Sequence, residues 1–293
     1  MKVLVTGAAG QLGKDVVILL EQKGFEVLAC DRQTLDITNP EQCEAVVSEF
    51  LPQAVIHCAA YTAVDAAEAD IEGAYRVNAS GSRNLAVAAE KVQAKMVYIS
   101  TDYVFDGQSP EPYHEYDNTD PQSIYGKSKR AGEVLIQSLS SRYFIVRTSW
   151  VYGLHGNNFV KTMLKLGQEK PFLNVVNDQK GSPTYTVDLS AFLFELIQTE
   201  KYGIYHASNS GSCTWYEFTK AILDDAAQIL DLKITASLEP CTTDRFPRPA
   251  PRPQNSVMEH FAIRSNGFTD IRPWREGLHD FLHELKAASI EIQ

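Results

Sequence analysis

Three groups of residues in this chain have the types and the spacing to do chemistry. Gly7-Ala8-Ala9-Gly10-Gln11-Leu12-Gly13 is a G-x-x-G-x-x-G run, Ser100-Thr101 sets two hydroxyls side by side, and Tyr125-Gly126-Lys127-Ser128-Lys129 is a Tyr-x-x-x-Lys. On a helix, positions i and i+4 share a face, so the phenol and the ammonium are neighbours. A nearby cation favours the phenolate and lowers a tyrosine pKa. Tyr125 is thus a candidate general acid/base near neutral pH, with Lys129 also placed to hold ribose hydroxyls. A hydroxyl at the C-terminal end of a strand, as expected for Thr101, faces the crevice where α/β sheets bind ligands.

The glycine run has the chemistry of a phosphate cradle. Gly7 makes the tight turn, Gly10 lets backbone approach a pyrophosphate, and Gly13 lets the following helix pack close to its strand. Gln11 and Leu12 open that helix, whose N–H groups and dipole favour an anion. Asp31 follows Gly7 by 24 residues and suits a ribose 2′-hydroxyl, favouring NAD. Arg32 beside it suits a 2′-phosphate, favouring NADP, and equally fits a solvated loop arginine. Use of both cofactors is the expectation.

These groups need elements to position them, and the pattern supplies them. Lys2–Thr6, Glu26–Cys30, Ala54–Ala60, Lys95–Ser100 and Tyr143–Thr148 are short apolar, strand-like runs. Helical spacing falls between them at Leu12–Lys23, from Asn39-Pro40 onward, over roughly 65–91 and at Tyr125–Leu139. Apolar strands alternating with helices predict an α/β, Rossmann-type, doubly wound parallel sheet. Residues 1–150 read as the dinucleotide-binding domain, carrying the Tyr-x-x-x-Lys helix. Residues 151–293 read as a smaller, irregular substrate-binding part packed on it. There helical stretches recur near 158–168, 186–199, 215–231 and after Pro273, and Phe246–Pro253 holds four of the thirteen prolines.

Composition removes several function classes. The 293 residues carry 27 Lys plus Arg against 37 Asp plus Glu, a net charge of −10, with no basic block for nucleic acid. No apolar run is long enough for a membrane span, and no signal-like segment opens the chain, so a cytoplasmic protein is expected. The five cysteines lack C-x-x-C spacing and read as reduced thiols, with no zinc site. His57 reads as a packed core histidine. Asp65, Glu68, Asp70 and Glu72 read as a solvated acidic face at a helix start.

The glycine run, Thr101 and Tyr125/Lys129 together resemble the extended short-chain dehydrogenase/reductase family. More narrowly they resemble its branch that reduces the C4 ketone of dTDP-linked 6-deoxysugars. The narrower resemblance rests on Gly10–Gly13, Ala59–Asp65 (AAYTAVD), Ser100–Phe105 (STDYVF), Arg147–Gly153 (RTSWVYG), Gly156–Met163, Asn177–Thr184 and Arg252–Ser256, across roughly residues 1–285. It implies a substrate that is a dTDP-linked 4-keto-6-deoxysugar, dTDP-4-dehydro-L-rhamnose reduced to dTDP-L-rhamnose, with NADP or NAD as cofactor. It implies Tyr125 as proton donor, Thr101 hydrogen-bonding the same oxygen, and Lys129 depressing the phenol pKa. It further implies that Asp36, Ile37, Ala59, Ala60, Tyr61 and Thr62 line the adenine and ribose side. Thr101, Asp102 and Trp150 would contact the sugar nucleotide, and Asn158, Lys161 and Arg252 its pyrophosphate and thymidine. Asp36 equally fits a loop cap, Trp150 a core tryptophan, and Arg248 and Arg252 surface anchors. Glutamates that hold magnesium at a dimer interface in some relatives read Asp15 and Val187 here, so no metal is expected. Monomer and homodimer both remain open. Relatives that eliminate water carry Thr-Asp-Glu where this chain has Thr101-Asp102-Tyr103. An epimerase, another deoxysugar reductase and a non-catalytic regulatory subunit of methionine adenosyltransferase are the alternatives on the same fold.

Overall fold

The computed structural model describes residues 1–288; the last five residues of the expected second part, 289–293, lie outside the described residues. The first half runs β1 (Lys2–Thr6), α1 (Gln11–Gln22), β2 (Glu26–Cys30), α2 (Pro40–Phe50), β3 (Ala54–His57), α3 (Val64–Ala67), α4 (Ile71–Tyr75), α5 (Ser82–Lys91), β4 (Lys95–Thr101), α6 (Ile124–Leu139) and β5 (Tyr143–Thr148). Then come β6 (Val151–Tyr152), α7 (Phe159–Glu169), β7 (Phe172–Val176), β8 (Lys180–Gly181), β9 (Thr184–Tyr185), α8 (Thr186–Ile197), β10 (Gly203–His206), β11 (Cys213–Thr214), α9 (Trp215–Ile229), β12 (Ser237–Cys241), α10 (Phe261–Ser265) and α11 (Trp274–Ala287).

Six strands form one sheet in the order β10-β5-β4-β3-β1-β2, and every pairing in it is parallel. Strand side chains alternate between faces, and both faces are covered. Val3 and Val5 pack with α1 and α8, while Leu4 between them packs with α2, α5 and α6. Successive connections leave β1 in opposite directions, to β2 on one side and β3 on the other. That reversal opens a crevice at the C-terminal ends of the strands. A third core joins α7, α9 and α11 around Tyr152, Phe218 and Phe281. β10 and α8, from beyond residue 150, return to complete the sheet and to cover α1.

Two elements differ from the sequence pattern. The segment 65–91 is not one helix. Asp70 caps α4 by accepting from Gly73 N at 3.0 Å, and Arg76–Gly81 forms a π-helical turn before α5. The turn lets Asn78 reach out of the helix: its amide donates to Tyr61 O at 3.0 Å and Ser128 Oγ at 2.9 Å, and its Oδ1 accepts from Tyr61 N at 2.8 Å. The third strand ends at His57, because the chain beyond it must turn beneath the glycine loop. The cysteines are all free thiols. No helix among the described residues is long and apolar enough to cross a membrane.

Candidate active site

A cleft of about 1200 Å³ lies along the C-terminal ends of the strands. The glycine loop forms one wall, and its glycines are required by space. Gly7 has φ +65°, and a Cβ there would sit 2.6 Å from Ala59 N. A Cβ on Gly13 would overlap the Gly7 carbonyl oxygen. Gly10 is the N-cap of α1 and has no side chain between the helix N-terminus and the cleft. These residues fit a dinucleotide pyrophosphate held by backbone N–H groups.

Gly7, Gly10, Gln11, Leu12, Gly13, Asp31 and Arg32 all line the cleft. So do Asp36, Ile37, Ala59, Ala60, Tyr61 and Thr62. Asp31 has one oxygen occupied: Oδ1 accepts from Gln33 N at 2.9 Å and Thr34 N at 3.0 Å, which holds the carboxyl below its usual range. Asp36 likewise caps its own loop through Thr38 N and Oγ1, at 2.9 and 2.8 Å. Arg32 is free of such a partner among the described side chains and faces the same wall as Arg76, a residue the sequence reading passed over.

The chemical end is built where β4 meets α6. Thr101 is the last residue of β4, and its Oγ1 accepts from Tyr103 N at 3.2 Å, starting a short 3₁₀ turn over Asp102–Val104. Ser123 caps α6 by accepting from Gly126 N, and Ile124 N donates to Glu68 Oε1 at 2.8 Å. Gly126 has no room for a Cβ against the Tyr103 carbonyl. Helix and turn therefore meet closely, and Tyr125, second in α6, lies against Thr101 with the Tyr103 ring edge-on at 5.6 Å. Burial pushes the Tyr125 phenol up to about 12, against the pull of the Thr101 hydroxyl.

Lys129 differs from expectation. It shares a helix face with Tyr125, but its Nζ donates to the Ile99 carbonyl at 2.6 Å and sits 4.0 Å from the Tyr98 ring centroid. The β4 carbonyl and the ring hold the ammonium, and the raised phenol follows from its burial. Burial pulls Lys129 itself down to about 7, opposed by the Glu133 carboxylate. Beneath it lies a buried ion pair. Glu133 accepts from Arg147 Nε and Nη2, both at 2.9 Å, and from Ser100 Oγ at 2.6 Å.

Of the expected substrate contacts, Asp102, Trp150 and Arg252 line the cleft, whereas Asn158 and Lys161 do not. Asn158 caps α7 and donates to Gln11 Oε1 at 3.0 Å, and Lys161 Nζ donates to Gly156 O at 3.1 Å. Asn158 ties the 153–158 loop to Gln11 after the glycine loop, and Lys161 holds the loop itself through its carbonyls. Trp150 is no core residue: at φ +46° it turns its ring onto Trp215, centroids 3.5 Å apart and nearly parallel. Trp215, Gln179 and Arg248 join the lining. Trp215 carries no sequence signal, whereas Gln179 sits inside a motif already singled out. The acidic run is more than a solvated face. Asp65 Oδ2 accepts from Arg252 Nη2 at 2.8 Å and its Oδ1 from Ala250 N at 3.3 Å, pinning the proline-rich segment across the cleft. His57 is a satisfied core histidine, with Nδ1 2.7 Å from Thr6 Oγ1 and Nε2 3.1 Å from Ser82 Oγ.

A doubly wound sheet with a glycine cradle at one end of the crevice and a threonine–tyrosine–lysine centre at the other defines an extended short-chain dehydrogenase/reductase. The RmlD substrate binding domain family matches residues 1–287, and the chain belongs to that family. It is 44% identical to the spore coat polysaccharide biosynthesis protein SpsK of Bacillus subtilis, over 98% of this chain and 99% of that one. It is 41% identical to dTDP-4-dehydrorhamnose reductase of Aggregatibacter actinomycetemcomitans, over 94% of this chain and 97% of that one. The crystal structure of dTDP-4-dehydrorhamnose reductase from Bacillus anthracis in complex with NADP superposes with a TM-score of 0.93 at 49% identity. The match covers 97% of this chain and 99% of that chain.

Proposed function

We propose that this protein is an NAD(P)H-dependent reductase of the C4 ketone of dTDP-4-dehydro-L-rhamnose, giving dTDP-L-rhamnose for surface polysaccharide. The observation that carries the reading is the Tyr125 phenol, half-buried beside the last residue of β4, Thr101, at the end of a cleft continuous with the glycine cradle. A reduced nicotinamide bound in that cleft supplies hydride. Tyr125 donates its proton to the oxygen forming at C4, and Thr101 hydrogen-bonds the same oxygen. Lys129 adds positive field beneath the reacting face and holds ribose hydroxyls. The N–H groups at Gly10–Gly13 hold the cofactor pyrophosphate, and Arg32 with Arg76 faces a 2′-phosphate. Asp102 and Trp150 contact the sugar. Arg252, with Arg248, takes the sugar nucleotide's diphosphate. Asn158 acts at one remove, by bracing Gln11, and Lys161 by holding the 154–156 loop carbonyls. The protein works in the cytoplasm as a monomer or homodimer.

The assay is oxidation of NADPH and NADH in parallel, with substrate made in situ from dTDP-glucose by a 4,6-dehydratase and a 3,5-epimerase. Cofactor loss that depends on the epimerase is expected. Tyr125→Phe lowers turnover at least about a hundredfold while dinucleotide still binds. Turnover unaffected by that change would remove Tyr125 as the proton donor.

A further inference from the structure

We propose that Trp215 is a positioning residue for the sugar: its ring fixes the Trp150 indole, and through it the place of the sugar ring. The inference rests on the reductase reading, in which Trp150 contacts the sugar of the dTDP-linked substrate. Trp150 lies where the chain passes from β5 to β6. Its φ of +46° falls in the left-handed region, where a bulky side chain is strained. Such strain persists only where the surroundings over-determine the conformation. Several contacts do so here. Thr184 N donates to the Trp150 carbonyl at 3.2 Å, and the neighbouring Ser149 Oγ donates to Ser182 O at 2.7 Å. Gly181 gives the indole its room: a Cβ there would stand 2.6 Å from Trp150 Cε2 and 2.7 Å from its Nε1. Trp215 covers one face of the indole, with ring centroids 3.5 Å apart and 8° between the planes.

Trp215 is itself firmly placed. It is the first residue of α9, whose Thr214 cap makes both halves of a capping box with Glu217. Thr214 Oγ1 also donates to Asn177 Oδ1 at 2.7 Å. Just before it, β11 pairs antiparallel with β8, Cys213 opposite Gly181 and Thr214 opposite Lys180. The strand that leads into Trp215 is therefore the partner of the glycine that admits Trp150, and one short ladder sets both rings. Phe159 of α7 packs on Trp215 with centroids 4.4 Å apart. Trp150 and Trp215 both line the cleft, as do Thr101, Asp102 and Tyr125. An indole held this way is a fixed apolar wall, against which the C–H face of a pyranose packs. Released from Trp215, it would move among rotamers, and the C4 ketone would lose its place at Tyr125. A misplacement of about 1 Å lowers a rate steeply. The thymidine diphosphate, assigned to Arg248 and Arg252, would be held as before.

The test compares the wild type with Trp215→Ala, Trp215→Phe and Gly181→Ala, by titration calorimetry with dTDP and with dTDP-L-rhamnose, and by steady-state kinetics with NADPH. Wild type should bind dTDP-L-rhamnose more tightly than dTDP. Trp215→Ala should lose most of that gain, about tenfold, while dTDP binds within about twofold of wild type. Its kcat/KM for the sugar nucleotide should fall at least about tenfold, with the KM for NADPH unchanged. Trp215→Phe, which keeps an aromatic face, should stay within about threefold of wild type. Gly181→Ala leaves α9 intact and pushes the indole from its seat, so it should reproduce the Trp215→Ala pattern; it serves if Trp215→Ala fails to fold. Equal losses for dTDP and dTDP-L-rhamnose overturn the inference, as do wild-type kinetics in Trp215→Ala or a phenylalanine variant no better than the alanine one. A wild type that gains nothing from the sugar overturns it too. If Tyr125→Phe is inactive in the same assay, the reductase reading stands without it. A wild type that oxidises neither NADPH nor NADH defeats the reading itself.

Discussion

Removing Arg147 probes the foundation of the chemical end. The guanidinium is 1% exposed, gives two 2.9 Å hydrogen bonds to a Glu133 that is 0% exposed, and lies 5.1 Å from the Phe105 ring centroid. Arg147→Met keeps most of the volume and strands the carboxylate. Breaking a buried pair by deleting one partner costs about 3–5 kcal/mol. Glu133 retains Ser100 Oγ at 2.6 Å and the half-exposed Arg130 Nη1 at 3.2 Å, so the loss should fall near about 3 kcal/mol. For a chain of this size that is a fall in Tm of roughly 6–12 °C. Urea unfolding with a midpoint shift at constant m, checked by calorimetry, measures it. Glu133→Leu with Arg147→Met removes both charges and should recover about 2 kcal/mol relative to the sum of the single changes. A loss under about 1 kcal/mol, or simple additivity in the double variant, would refute the account of this pair as a mutually dependent buried unit.

Gly13→Ala should abolish dinucleotide binding by fluorescence titration while the protein remains folded, because the new methyl overlaps the Gly7 carbonyl; normal binding would dissolve the cradle argument. Arg32→Ala should weaken NADPH more than NADH, and equal effects would make Arg32 a bystander at this wall. Burial holds the His57 pKa down at about 3 and His206 well below its usual value, so the unfolded chain binds more protons than the native one between about 3 and 6.5. That part of the stability is complete above about pH 6.5 and declines as pH falls, by up to about 1.4 kcal/mol per pH unit for each histidine. Asp102, raised from the ordinary 3.8 to about 6, acts in the opposite sense between those two values. His57→Gln should flatten the decline by about one proton, measured as urea midpoints across pH 4–8.

Local patterning carried much of this architecture. The strand-like runs were legible because a parallel strand buried on both faces is apolar throughout, and α2 announced itself through Asn39 and Pro40. The glycine run and Tyr125 were legible because their meaning depends on neighbours in sequence. What stayed hidden depends on partners distant in the chain. Helical spacing put Lys129 on the Tyr125 face but could not say that the Ile99 carbonyl and Tyr98 ring would take its ammonium. Trp150 meets Trp215 only because α9 comes to its side. Nor could spacing tell Asn158, bound to Gln11, from a ligand of substrate. The π-helical turn at Arg76–Gly81 breaks a pattern that reads as continuous helix, since its cause is the reach of Asn78 toward Tyr61 and Ser128.

The placement of β10 also governs how the chain can be made. Synthesis delivers β5 by Thr148, but the strand that pairs with its outer edge begins at Gly203. Until then a nascent chain exposes a row of unpaired backbone groups on Tyr143–Thr148, with the apolar Phe144, Ile145 and Val146 at its centre. Such an edge invites pairing with another copy. Slower translation through 149–202 should therefore lower the soluble yield, and chains truncated before Gly203 should collect as aggregates rather than as an isolated dinucleotide-binding half.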